Sequence, residues 1–209
     1  MVKRIKYCFF SIFFLCSLYT QKNDQQIWVD SIYSSMSLDQ KVGQLYSVWT
    51  ASKYGQEEIN EIKRIINEYH IGGLIFSLGN INDQIISHNI FQEQSNIPLL
   101  ISMDAEWGLG MRLDDGFSFP YNITLGAIRD DSLVFAVGQR IGEHLKKIGV
   151  HLNFAPVSDV NTNPKNPIIG ARSFGENKFN VTNKSIKYIE GLNNSGVSVS
   201  YTHLRAHET

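Results

Sequence analysis

Four residues near the middle of the chain are suited to binding chemistry: Asp104, Glu106, Trp107 and Arg112, which follow an apolar run that begins at Pro98. Carboxylates accept hydrogen bonds from neighbouring hydroxyl groups, an indole ring offers a flat apolar face, and a guanidinium donates several hydrogen bonds. Together these groups could bind a sugar. The same residues could also form a capping carboxylate beside a buried indole, and the cluster alone favours that plainer interpretation.

A second candidate is Arg172, which is followed by Ser173, Phe174 and Gly175. The surrounding segment, residues 163–176, has two prolines and no apolar periodicity, so it is predicted to be a loop. Loops of this length in compact domains are usually functional. A tight polar turn there could point the Arg172 guanidinium into a site, and a surface salt bridge is the alternative.

Both candidates need strands that end near one another. The apolar run 98–103 is short and bounded by proline and glycine, which is typical of a strand buried on both faces of a parallel sheet. A second strand is predicted over 150–159, with Asp159 at its end and Asn161 and Asn163 after it. The carboxyl ends of parallel strands share one edge, where α/β folds bind ligands, so we expect both polar clusters at one rim.

Helices and strands alternate along the rest of the chain. Ser37 and Gln40 have the spacing of a capping box, which predicts a helix from residue 37. Further helices are predicted over 57–69, from Asn82 or Asp83, over 132–148 and over 180–193, and further strands over 45–49 and 71–77. This alternation indicates a parallel sheet with right-handed crossovers. Periodicity leaves two closures open, a (β/α) barrel and an open doubly wound sheet.

The composition excludes several kinds of partner. Lys and Arg number 19 against 20 Asp and Glu, and no basic stretch is interleaved with aromatics, so no nucleic-acid partner is expected. The glycine-rich motifs that commonly bind nucleotides are absent from the sequence. We expect a small ligand without strong charge, and no metal or organic cofactor. Four histidines, at positions 70, 88, 144 and 151, are predicted to be structural or solvated.

The first residues have the pattern of a secretory signal. Three basic residues precede the apolar run 7–18, which falls short of the ~20 residues that a membrane span needs. We therefore expect a signal peptide over 1–20, export, no stable membrane span and a mature domain over 21–209. Cys8 and Cys16 both lie in the signal, so the mature domain would have no disulfide or thiol nucleophile. Lipidation at Cys16 is the less favoured alternative, because small residues do not precede it.

Five segments, in order, resemble the amino-terminal domain of glycoside hydrolase family 3, whose members are exo-acting β-N-acetylhexosaminidases and β-glucosidases. The resemblance covers roughly residues 36–196, and the segments are 71–76, 100–112, 119–126, 149–160 and 168–176. It implies a TIM-type (β/α) barrel with its site at the carboxyl ends of the strands. This chain would form the amino-terminal part of that barrel, an incomplete one.

The resemblance also implies roles for individual residues. Asp104 would grip hydroxyl groups of the terminal sugar, and Arg112 and Arg172 would bind substrate beside it. Family members retain anomeric configuration: an Asp nucleophile attacks the anomeric carbon while an acid protonates the leaving oxygen. Both catalytic groups belong to segments after residue 200, so no catalytic residue is expected within this chain, which as printed would be inactive.

Two segments depart from the family pattern. Hexosaminidase members have Glu-Gly-Gly where this chain has Glu106-Trp107-Gly108, a form that resembles exported bacterial homologues, some with a serine-hydrolase-like domain further along. Residues 200–209 keep His203 and His207 at the spacing of the family's Lys-His-Phe-Pro-Gly-His-Gly but lack its Lys and Pro-Gly. We interpret them as a non-native tail and assign neither histidine a role.

The sequence therefore predicts the front part of an exported, retaining exo-glycosidase with a carbohydrate substrate. A β-N-acetylhexosaminidase that removes terminal N-acetylglucosamine is preferred, and a β-glucosidase-type enzyme is the alternative within the class. Two rivals from other classes stay open. One is a non-catalytic sugar-binding remnant that keeps Asp104, Arg112 and Arg172. The other is a periplasmic sugar-binding protein on a doubly wound sheet.

Overall fold

The computed structural model describes residues 23–201. The predicted signal peptide and residues 202–209 of the predicted tail lie outside the described residues. The chain divides into two compact units, the first ending at Lys41 and the second beginning at Val42. Within residues 23–201, no helix combines the length and the apolar character that crossing a bilayer requires.

The first unit contains helix α1 (Asp24–Ser35), which Asn23 caps and which buries none of its residues. Ser37 and Gln40 then form the predicted capping box. The Gln40 N–H donates to Ser37 Oγ at 3.2 Å, and the Ser37 N–H donates to Gln40 Oε1 at 2.9 Å. Helix α2 (Leu38–Gly43) begins inside this box, because the Gln40 N–H of its first turn and the N–H of the capping residue Ser37 both gain partners there.

The second unit is built on five parallel strands whose spatial order is their chain order. They are β1 (Ser47–Ala51), β2 (Gly73–Ser77), β3 (Leu100–Met103), β4 (Leu152–Asn153) and β5 (Ser198–Val199). A doubly wound sheet reverses its strand order at a switch point, and these strands advance in one direction without reversal. The topology therefore favours the barrel over the open sheet.

Helices connect successive strands: α3 (Gly55–Tyr69), α4 (Ile81–Gln94), α5 (Asn122–Gly126), α6 (Asp131–Lys147) and α7 (Lys178–Asn194). The prediction that Asn82 or Asp83 starts α4 was wrong. The cap is Asn80, whose side chain accepts a hydrogen bond from the Asp83 N–H at 2.9 Å. Asp130 and Asn177 likewise cap α6 and α7, so these helices begin slightly earlier than their apolar periodicity indicates.

Strands β2 and β3 lie at the centre of the core, where Leu74, Phe76, Ile101 and Met103 have no exposed surface. The strand predicted over 150–159 is much shorter, since only Leu152–Asn153 pairs with neighbouring strands. Residues after Asn153 leave the sheet as a loop that contains Pro156, which has no N–H to donate. This early departure brings the polar residues after β4 to the rim.

Helices α6 and α7 pack closely because glycines lie at their contact. A Cβ atom on Gly138 would lie 2.3 Å from the Tyr188 carbonyl oxygen, and one on Gly191 would lie 2.2 Å from that of Phe135. Larger side chains would force the two backbones apart. This close contact fixes α7, which reaches back toward the segment after β3 through Tyr188.

Candidate functional site

Asp104 and Arg112 form an ion pair directly after β3. Asp104 is the first residue beyond the strand, and Arg112 follows a 3-10 turn, Leu109–Met111. The chain turns between them at Gly108, which has φ +96° and donates to the Ala105 carbonyl at 3.2 Å. Arg112 Nη2 donates to Asp104 Oδ2. Their side chains are 27% and 37% exposed, so a ligand can reach this pair from solvent.

Arg172 pairs with Glu106 across 66 residues of sequence. Nε lies 3.1 and 3.0 Å from the two carboxylate oxygens, and Nη2 lies 2.7 Å from Oε1. Glu106 is only 3% exposed, whereas the Arg172 side chain is 34% exposed. The hypothesis that Glu106 itself binds hydroxyl groups was therefore wrong, because its carboxylate is buried against the guanidinium. The structure gives Glu106 a partner within the protein instead.

Backbone contacts fix both members of this pair. The Tyr188 hydroxyl, fully buried on α7, donates to the Glu106 carbonyl oxygen at 2.9 Å. Burial raises the pKa of Tyr188, and the Glu106 charge raises it further, so the phenol stays protonated and able to donate. Asn122 Nδ2 on α5 donates to the Arg172 carbonyl oxygen at 2.8 Å. Helices α5 and α7 thus hold the segment after β3 against the loop that carries Arg172.

The predicted site residues lie together around Arg172. The hydrogen bonds to Glu106 raise the pKa of Arg172, and the carboxylates of Asp104 and Asp159 raise it further. Direct contacts place these groups together, since Arg172 is hydrogen-bonded to Glu106, two residues after Asp104, and the neighbouring Ser173 hydroxyl donates to the Asp159 carbonyl oxygen. Asp104, Arg112 and Arg172 therefore share one rim with Asp159, as the strand ends predicted.

Asn153, a buried residue of β4, was not among the predicted site residues. Its Oδ1 accepts from the Ala105 N–H at 3.0 Å, and its Nδ2 donates to the Ala105 carbonyl oxygen at 3.3 Å. Ser173 similarly ties the Arg172 loop to the residues after β4, since its Oγ donates to the Asp159 carbonyl oxygen at 2.6 Å. A polar residue inside an apolar strand was the available signal for Asn153.

Trp107 and three of the histidines considered above make packing contacts with other rings. Trp107 meets Tyr121 edge to face, with ring centroids 4.7 Å apart. The ring centroids of His88 and His151 are 6.4 Å apart. Because His151 directly precedes β4, it lies at the end of the strands opposite the rim. His144 contacts Phe117 and Phe119. Within residues 23–201, no three His, Cys, Asp or Glu side chains are grouped as metal ligands would be.

The family model described as the glycosyl hydrolase family 3 N-terminal domain matches residues 37–209. This chain belongs to glycoside hydrolase family 3. The predicted resemblance and the predicted incomplete TIM-type barrel are both confirmed, because the parallel α/β sheet of this structure matches the front part of that family's barrel.

Several relatives match this chain in sequence or in fold. The β-hexosaminidase A of Pseudoalteromonas piscicida is 34% identical in an alignment of 160 positions that covers 70% of this chain and 27% of that protein. A solved β-N-acetylglucosaminidase from Paenibacillus sp. is 34% identical with a TM-score of 0.72, covering 81% of this chain and 33% of that one. The β-glucoside phosphorylase BglX has a TM-score of 0.80 at 24% identity, which shows the shared fold, and covers 90% of this chain and 33% of that one.

The chain spans about a third or less of the length of these relatives, 27% to 33%. It contains the segments after β3 and β4 that carry Asp104, Arg112, Asp159 and Arg172. At this rim, carboxylates can accept hydrogen bonds and guanidiniums can donate them, which is the chemistry of a candidate binding site.

Proposed function

We propose that this chain is the front part of an exported, retaining exo-glycosidase that removes terminal β-linked N-acetylglucosamine. The rim arrangement is the observation that carries this proposal. Asp104 and Arg112 form a solvent-accessible pair, and Arg172 is hydrogen-bonded to Glu106, two residues further along the same segment. Family membership and the names of its relatives, β-hexosaminidase A and β-N-acetylglucosaminidase, support the reaction and the sugar.

In this proposal the three residues bind the terminal sugar. Asp104 accepts hydrogen bonds from two neighbouring hydroxyl groups, because a carboxylate has two oxygens with several lone pairs. Arg112 and Arg172 donate to ring substituents on either side. Fixed donors and acceptors hold the anomeric carbon where a nucleophile and an acid, supplied by later segments of the barrel, can act in a double displacement.

A β-glucosidase-type activity is the second candidate. A relative from Cellulomonas fimi, 26% identical over 181 residues, is named a β-N-acetylglucosaminidase/β-glucosidase, and this chain covers 31% of it. Glu106-Trp107-Gly108 also departs from the hexosaminidase pattern. A binding protein that keeps the rim without cleavage is the candidate from another class.

The test is to sequence the gene across and beyond the codon for Val199, express the complete reading frame and assay two aryl β-glycosides. We expect a Lys-His-Phe-Pro-Gly-His-Gly segment and faster hydrolysis of the N-acetylglucosaminide than of the glucoside. Preference for the glucoside would establish the second candidate. A stop codon directly after Thr209, with sugar binding and no hydrolysis, would contradict the enzyme and leave the binding protein.

A further inference from the structure

A nearly inaccessible carboxylate, Glu106, lies beside the guanidinium of Arg172, which the family motifs assign to substrate binding. Glu106 is 3% exposed and cannot contact a ligand itself. Burying a carboxylate is costly unless it is paired and hydrogen-bonded. Its contacts meet this condition fully, since both oxygens face Arg172.

The geometry of the pair is side-on. Nε and Nη2 of Arg172 face the two carboxylate oxygens at 2.7–3.1 Å, which is the parallel, two-point arrangement that a planar guanidinium favours. Nη1 donates a hydrogen bond to the Ile168 carbonyl oxygen at 3.4 Å, so each terminal nitrogen keeps a second N–H outside these contacts. Glu106 therefore occupies only the inner edge of the guanidinium. The outer edge, between Nη1 and Nη2, points away from Glu106.

The backbone of Glu106 is fixed as well as its side chain. The buried Tyr188 hydroxyl holds the Glu106 carbonyl at 2.9 Å, and Asn122 holds the Arg172 carbonyl at 2.8 Å. A long arginine side chain in a loop otherwise samples many rotamers, and fixing them upon binding lowers affinity. Here the cost of ordering is met by contacts that exist before a ligand arrives.

We propose that Glu106 is a positioning residue, which holds Arg172 by its Nε–Nη2 edge so that the outer edge presents two N–H donors to neighbouring oxygens of the bound sugar. This inference rests on the proposed function, because it assigns the sugar to the outer edge. It separates two roles within the site. Asp104 and Arg112 contact the ligand directly, whereas Glu106 acts only through Arg172.

The test compares Glu106→Gln with a matched control, Glu176→Gln, which removes the same charge from an exposed position on the Arg172 loop. We titrate N-acetylglucosamine into the protein expressed from the complete reading frame and record the nitrogen-15 spectrum of the Arg172 Nε–H group without sugar. Glu106→Gln should bind about tenfold more weakly, because an amide has only one acceptor oxygen and its NH2 group would face a guanidinium N–H, so the two-point pair is lost. It should also lose protection of the Nε–H against exchange with water, and Glu106→Asp should recover part of both.

Arg172→Lys keeps the positive charge without the planar fork, and it serves as a second test if Glu106→Gln does not fold. It should weaken binding to a similar extent. Wild-type affinity in folded Glu106→Gln or in Arg172→Lys would overturn the proposal, as would equal losses in Glu176→Gln. Should the wild-type chain bind no sugar while Glu106→Gln still loses Nε–H protection, the proposed function fails and the fixing of Arg172 by Glu106 stands.

Discussion

At the scale of single residues, His151 couples the sheet to pH. The Ile101 backbone N–H donates to the imidazole Nδ1 of His151 at 3.1 Å, and the backbone N–H of His151 donates to the Ile101 carbonyl oxygen at 2.9 Å. The imidazole thus extends the ladder between β3 and β4. An imidazolium has hydrogen on both nitrogens and cannot accept this bond. Burial lowers the pKa of His151, and burial together with His151 lowers that of His88.

We therefore predict that acid destabilises the fold through this pair. Because the neutral forms are favoured in the folded state, the unfolded chain binds more protons below the ordinary histidine pKa of about 6.5. The contribution to stability is complete above that pH and is lost as the pH falls through the lower folded-state values. Urea midpoints measured at several pH values between about 7.5 and 5 should fall accordingly.

His151→Asn tests the origin of this effect, since the Asn side-chain oxygen can accept the Ile101 hydrogen bond without titrating. Its urea midpoint should depend less on pH than that of the wild-type chain. His70→Asn, at the end of α3, is the matched control and should keep the wild-type dependence. An unchanged pH profile in His151→Asn would show that another group causes the loss.

At the scale of elements, the contact between α6 and α7 sets the position of Tyr188 and hence of Glu106. Alanine is favoured over glycine in a helix interior by about 1 kcal/mol. At Gly191, however, the added Cβ would lie 2.2 Å from the Phe135 carbonyl oxygen and 2.6 Å from the Gln139 nitrogen, both backbone atoms. Overpacking of this kind costs about 1–3 kcal/mol.

We predict that Gly191→Ala lowers the free energy of unfolding, because the clash exceeds the gain in helix propensity. Chemical denaturation measures the change. The control is Glu190→Ala, at the exposed neighbouring position of the same helix, which should change stability by less than about 0.5 kcal/mol. A stabilised Gly191→Ala variant would mean that the two helices can separate freely.

The elements also show where sequence reasoning succeeds. Apolar periodicity located β2, β3 and the long helices, because burial imposes it along the whole of each element. Asn80 was missed as a cap because a helix start depends on one side chain that precedes the periodic residues. The strand predicted over 150–159 shrank to Leu152–Asn153, since apolar composition signals burial and does not signal pairing.

For the candidate site, Asp104, Arg112 and Arg172 were predicted from the family motifs, and their shared rim was predicted from the strand ends. The pairing of Glu106 with Arg172 could not be predicted from the sequence. The two residues are 66 positions apart, and only the folded chain brings them into contact. The buried Tyr188 likewise resembled any core aromatic on a helix until its hydroxyl was seen to reach the Glu106 carbonyl.

At the scale of the whole molecule, we predict export with cleavage after about residue 20, because a short apolar run follows three basic residues. The amino-terminal sequence of the exported protein should begin near Gln21. Phe14→Arg interrupts the apolar run and should keep the precursor inside the cell. A lipid-modified amino terminus at Cys16 would instead establish the lipoprotein alternative.

The most informative measurement is a titration of N-acetylglucosamine into the protein expressed from the complete reading frame, as wild type and as Asp104→Asn, followed by calorimetry or amide chemical shifts. Glu93→Gln, on the exposed face of α4, removes the same charge and is the control. We expect saturable binding by the wild type and the control and at least about tenfold weaker binding by Asp104→Asn, since a charged acceptor is lost. Equal binding by all three, or none by the wild type, would contradict a sugar site at this rim.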